Sequence, residues 1–196
     1  MIARTEMKAV AKEQIRGNLV ALLVCSVIPV VVTAWIGLLP SIGPFIAQII
    51  APAFSMSVVM IYLGLSYGEK PQAPDAFLGF SIFGKSLWMY IVMEFFIALW
   101  AILFIIPGIW KAFGYAMAPY VLAENPEMSA MGALKESERI MKGNKMDLFM
   151  LVVSFLGWIF LTAITLGIAG IYTIPYMQAT MTQYYYAVRD AAEEEV

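Results

Sequence analysis

Histidine is absent from this sequence, and its one cysteine, Cys25, stands inside an apolar run. A disulfide framework is therefore excluded, and so is any zinc site or triad that needs His or paired Cys. Cys25 reads as a small buried hydrophobe. Charge is scarce too: Asp, Glu, Lys and Arg make up 13% of the chain, against about 25% in a soluble domain. The net charge of −2 selects no partner of either sign. No phosphate-binding Gly-Lys-Ser/Thr loop, GxSxG or HExxH occurs. Accordingly no catalytic residue, metal, cofactor or nucleic-acid partner is assigned, and a non-enzymatic protein is expected.

What fills the chain is apolar. Hydrophobic residues reach 62% and mean hydropathy is +0.81, more apolar surface than a water-facing domain can cover. The apolar residues fall in long runs separated by short charged segments, which is the pattern of an all-α, polytopic transmembrane bundle. Spans are expected at about 18–39, 44–67, 86–106, 107–123, 147–168 and 170–188. Most approach the ~20 residues that cross a ~30 Å hydrocarbon core, the fourth being short and the sixth polar. Pro107-Gly108 and the stretch 167–170 lie where helices should stop. The run that follows Arg16 is too long for a signal-peptide core and reads as a retained first helix.

The charges fix an orientation. Every Lys and Arg except Lys111 falls in the N-terminal segment, 68–85, 124–146 or the C-terminal tail. Six spans place all four segments on one side, the cytoplasm, with both termini there. Lys111 is then expected to snorkel to the outer headgroups beside Trp110 and Trp100.

An internal repeat underlies the six helices. Gly17, Gly84 and Gly143 open the first, third and fifth spans. Pro52 and Pro119 follow 35 residues after the first two, and Pro175 follows 32 after the third. The single membrane domain, 1–196, is thus read as three hairpins, about 16–67, 84–123 and 143–189, each with one proline in its returning helix. Pro52, Pro119 and Pro175 are expected to kink those helices around a pseudo-threefold axis. Short polar segments precede the copies at 3–16, 73–83 and 126–142. The last is read as an amphipathic helix begun by Asn125 and Pro126 and stopped by Gly143. Met128, Met131, Leu134 and Met141 form its apolar stripe, and Lys135, Arg139 and Lys142 face headgroups or solvent.

Glu94 is the only acidic residue well inside a span, which makes it a candidate ligand or proton site. It lies roughly 20 Å of helix below Pro107, so a pair with Lys111, roughly 6 Å below, is not expected. The same depth holds Ser57, Tyr120, Ser154 and Gln183, which could form a polar layer with it. The rival reading is a structural interhelical hydrogen bond. Gly108, Ala112 and Ala116 form a small-residue stripe for close helix packing.

The segment FIIPGIWKAFGYAMAPYVLAENPEMSAMGALKESERIMKGNKMDLFML, residues 104–151, resembles the bacterial domain-of-unknown-function 975 family of integral membrane proteins. LGIAGIYTIPYMQATMTQYYY, residues 166–186, resembles it too. More remotely, the layout is similar to the membrane domain preceding some glycerophosphodiester phosphodiesterases. The family resemblance implies a bacterial plasma-membrane location and six spans, and no activity. Two function classes follow as expectations: a transport-related or ligand-sensing membrane protein, or a structural subunit docking a protein partner or a second copy of itself within the lipid bilayer.

Overall fold

The structure, a computed structural model, describes residues 4–103 and 105–194. The described residues are helical, with no strand among them. An N-terminal helix α1 (Arg4–Arg16) leads to α2 (Leu19–Gly37) and α3 (Gly43–Ser66). A 3-10 segment (Ala73–Ile82) runs into α4 (Phe83–Leu103). Then come α5 (Ile105–Tyr115), α6 (Ala118–Glu124), α7 (Ala130–Ile140), α8 (Lys145–Val153), α9 (Leu156–Ile164) and α10 (Gly170–Glu194).

Four stretches are long and apolar enough to cross a membrane: Leu19–Gly37, Gly43–Ser66, Ala73–Ile102 and Lys145–Ile164. Within α3, 44% of the apolar window is buried, against 11–17% in the other three. So α3 is the central helix, packed by α2, the 3-10 segment, α4, α6 and α10. The other spans turn large apolar side chains outward, such as Val30 and Trp35 on α2, Ile102 on α4 and Phe160 on α9. In water such a surface would drive aggregation; in lipid it costs nothing.

Two expected spans are built differently. The fourth is broken into α5 and α6, with a turn at Ala116–Met117. Pro119 lies in the first turn of α6, where its missing N–H has no intrahelical partner to lose. It therefore starts a helix, whereas Pro52 and Pro175 lie inside the continuous helices α3 and α10. A third intrahelical proline, Pro29 in α2, was not among the matched set. The fifth span is interrupted at Ser154–Phe155, between α8 and α9. Pro107 and Gly108 belong to α5 and do not form the turn before it. Gly108 packs so closely on α4 that an added Cβ would lie 2.8 Å from the Ala101 Cα. Gly108 of the expected small-residue stripe thus lets α5 close on α4 within the chain.

The three polar segments also lie deeper than surface helices would. Each packs on a helix distant from it or next to it in the chain: α1 on α10, the 3-10 segment on α3, and α7 on α6. Met7, Ala11 and Ile15 bury one face of α1. Helix α7 begins at Ala130, capped by Ser129, whose Oγ accepts from the Gly132 N–H at 3.1 Å. Asn125 is instead the C-cap of α6, and its amide donates to the Val121 carbonyl. Ser129 wins because its extended backbone can present a side-chain acceptor to the first turn. The buried face of α7 is Ala130, Ala133, Leu134, Ser137 and Ile140, while Met131 is exposed. Lys135, Arg139 and Lys142 are exposed, and Gly143 has the left-handed φ of +86° that ends the segment.

Candidate functional site

The polar residues anticipated at one depth are distributed among separate environments. Ser57 is fully buried; it donates to the Ala53 carbonyl at 3.0 Å and accepts from the Gly79 N–H at 2.8 Å. Ser154 accepts from the Lys8 ammonium at 2.7 Å and donates to the Leu151 carbonyl at 2.5 Å, so it satisfies the α8–α9 break. The Gln183 amide donates to Gln14 Oε1 and to Ser66 Oγ, both at 3.2 Å, joining α10 to α1 and α3. Tyr120 is buried and stacked on Tyr185, with ring centroids 5.3 Å apart.

Glu94 stands in a different place, a groove of about 260 Å³ between α3 and α4. It is exposed, between the outward-facing Ile91 and Phe95. Gln48, Pro52 and Ser55 line the α3 side of the groove, and Tyr90 joins Glu94 on the α4 side. Tyr90 interacts with both Ser55 and Glu94. Pro52 has no N–H to offer the Gln48 carbonyl one turn earlier, so that oxygen is left for another donor. The groove therefore collects a carboxylate, a freed carbonyl, an amide and two hydroxyls. Of the residues expected near Glu94, Tyr120 interacts with Tyr90, which in turn interacts with Glu94.

Lys111 has a partner within the protein that its expected place beside lipid headgroups did not include. It forms an ion pair with Glu138 of α7, and its ammonium lies 5.2 Å from the Tyr115 ring centroid. A depth counted along one helix cannot register that α7 packs back against α5 and meets it there.

A second polar cluster went unseen in the sequence. Glu124, at the end of α6, accepts from both oxygens' sides: Arg189 Nη1 lies 2.9 Å from each oxygen. The Tyr185 hydroxyl donates to Oε2 at 2.7 Å and the Tyr67 hydroxyl to Oε1 at 3.1 Å. These residues, with Met128, Glu136 and Glu193, border a basin of about 570 Å³. Burial disfavours the Arg189 charge, but hydrogen bonds to Asp190 and Glu124 outweigh it and hold its pKa above the ordinary arginine value. On the rim, hydrogen bonds from Arg139 hold the Glu136 carboxyl below its usual value. Tyr185 and Arg189 sit four apart on one helix face, so their pairing was readable from spacing. Glu124 comes from another element, and nothing local pointed to it.

Among the described residues, no group of three or more His, Cys, Asp or Glu is placed to hold a metal ion. Helices of membrane length around a central α3, with outward apolar faces, define an all-helical protein of membrane type. The chain belongs to the family described as protein of unknown function (DUF975), whose model matches residues 1–111 and 104–192. No curated protein and no solved structure matches it.

Proposed function

We propose that this is a six-span bacterial plasma-membrane protein, with cytoplasmic termini, that binds a membrane-borne ligand in the α3–α4 groove and does not transform it. The observation that carries this reading is Glu94, a carboxylate open to a lateral groove among residues that face lipid. A carboxylate is costly at that depth unless something offsets it. The groove is rich in acceptors, so its ligand is an amphiphile whose headgroup donates hydrogen bonds, an amine or a polyol. A single carboxylate that has no basic partner among the described residues supports binding over catalysis.

Six spans require α5 with α6, and α10, to cross as well. The 25 residues of α10 reach about 37 Å, enough for the core despite its polarity. The positions of the basic segments support cytoplasmic termini. The packing of α1, the 3-10 segment and α7, each on a returning helix, supports three related hairpins in cyclic order. Cysteines introduced at Glu13, Lys142 and Glu194 in a Cys25→Ala background should react with impermeant maleimide only after the inner face is exposed. One introduced at Ser41 should react from outside. Labelling of Lys142 and Ser41 from the same side would refute the topology.

For the ligand, photo-crosslinking in native membranes with a probe at Ile91 is expected to capture an amphiphile from the wild type. Glu94→Gln should reduce capture at least about tenfold, the loss of one charge-assisted contact of 1.5–3 kcal/mol. Equal capture by both proteins would sink the site. The second reading, a subunit that docks other proteins, is favoured by the basin at Glu124, whose rim joins α3, α6, α7 and α10. Co-purification of a stoichiometric partner, lost when Glu136 and Glu193 are changed to Gln, would support it.

A further inference from the structure

Away from both clusters, α5, α7 and α8 bring two ammonium groups and one carboxylate to a single hollow. Lys111 on α5, Glu138 on α7 and Lys145 at the start of α8 border a space of about 380 Å³ with Trp100, Pro107 and Trp110. Lys111 is paired with Glu138. Among the described residues, Lys145 forms no ion pair. Its ammonium lies 5.9 Å from the Trp110 ring centroid. It rests against α5 at Gly114, where an added Cβ would be 3.1 Å from Nζ. The absence of a side chain at 114 is what lets Lys145 reach in.

Two lysines against one glutamate leave the hollow with a surplus of one positive charge. The helices that line it carry exposed apolar side chains, Ile109 on α5 and Met146 and Phe149 on α8, and both indoles at the hollow are exposed. Paired Trp residues beside Lys are typical of the headgroup level of a bilayer. A phosphodiester carries one negative charge and accepts from two ammoniums at once. A soluble phosphate would satisfy the charge but leave the apolar rim uncovered. A zwitterionic headgroup would bring a further cation to a site already in surplus.

We propose that this hollow binds the headgroup of an anionic phospholipid, its phosphodiester between Lys145 and Lys111 and its acyl chains along the exposed faces of α5 and α8. Glu138 sets the strength of the site by cancelling one lysine. The proposal requires the chain to lie in a bilayer and is independent of the ligand at Glu94, so either can fail alone.

The test uses the full chain in mild detergent, titrated with phosphatidylglycerol or phosphatidylcholine of matched acyl chains and read by native mass spectrometry. Phosphatidylglycerol should be retained in preference, as one or two adducts. Lys145→Gln should weaken that retention about fivefold, the scale of one basic residue facing an anionic lipid. Glu138→Gln should strengthen it, and Lys145→Arg should preserve it. The opposite signs separate the site from a general loss of folding, which would lower binding in every variant. Equal retention of the two lipids would overturn the proposal, as would insensitivity to both Gln changes. Displacement of the lipid by millimolar glycerol 3-phosphate would overturn it too, because the site would then take a soluble phosphate compound.

Discussion

Gly79→Ala should destabilise the protein by about 3 kcal/mol or more, the upper range for overpacking a tight contact together with a lost hydrogen bond. Gly79 lies in the 3-10 segment against α3, one turn beyond Pro52. A Cβ there would meet the Ala53 carbonyl oxygen at 2.0 Å, the Ser57 nitrogen at 2.7 Å and the Met56 Cβ at 2.9 Å. All three are backbone or near-backbone atoms of the central helix, so none can rotate away. Moving the segment outward would also break the bond from the Gly79 N–H to Ser57 Oγ, which is 2.8 Å and buried. Thermal unfolding in detergent measures this, with Gly84→Ala as the reference, since nothing lies within 4 Å of a Cβ at that position. Equal midpoints for the two variants would mean that the 3-10 segment does not seat on α3.

Ser137→Ala should cost about 2 kcal/mol, the penalty for leaving two buried backbone groups without partners. Ser137 is fully buried on α7 and bridges the break between α5 and α6. Its hydroxyl donates to the Gly114 carbonyl at 2.7 Å and accepts from the Met117 N–H at 3.2 Å. A broken helix buried among apolar groups is tolerated only where protein satisfies the freed backbone groups. Ser137 does so from another element, which explains why a polar residue occupies the otherwise apolar face of α7. Ser129→Ala, which removes only the N-cap of the same helix, should cost about 1 kcal/mol. If the two variants unfold together, the bridge across the break carries no weight.

These two residues mark where sequence reasoning stops. Gly79 had no visible partner in the chain, because its contact is with residues more than twenty positions earlier. Ser137 sat inside an amphipathic segment whose expected stripe holds at Leu134 and Met141, both buried, and at Met128, which packs on the core, but fails at Met131, which is exposed. The start was placed at Asn125, whereas the helix begins at Ala130 after the Ser129 cap. Long-range pairs such as Lys111–Glu138, Lys8–Ser154 and Glu124–Arg189 were out of reach for the same reason. Glu94 shows the opposite case. Its isolation inside an apolar run made it a candidate before any fold was known, and the structure adds the neighbours Gln48, Ser55 and Tyr90.

Composition and periodicity by themselves determined that the chain is helical, apolar and grouped into membrane-length runs, because those properties are local and sum along the chain. The family resemblance was legible for the same reason: it rests on contiguous residues. Only the tertiary structure decided that two runs are broken, at Ala116–Met117 and Ser154–Phe155. It also decided that the polar segments pack against α10, α3 and α6, and that Lys111 meets α7. Those features depend on which helices touch. In a bilayer that choice is made by close fit and by the satisfaction of individual polar groups, since lipid is as apolar as the helices themselves.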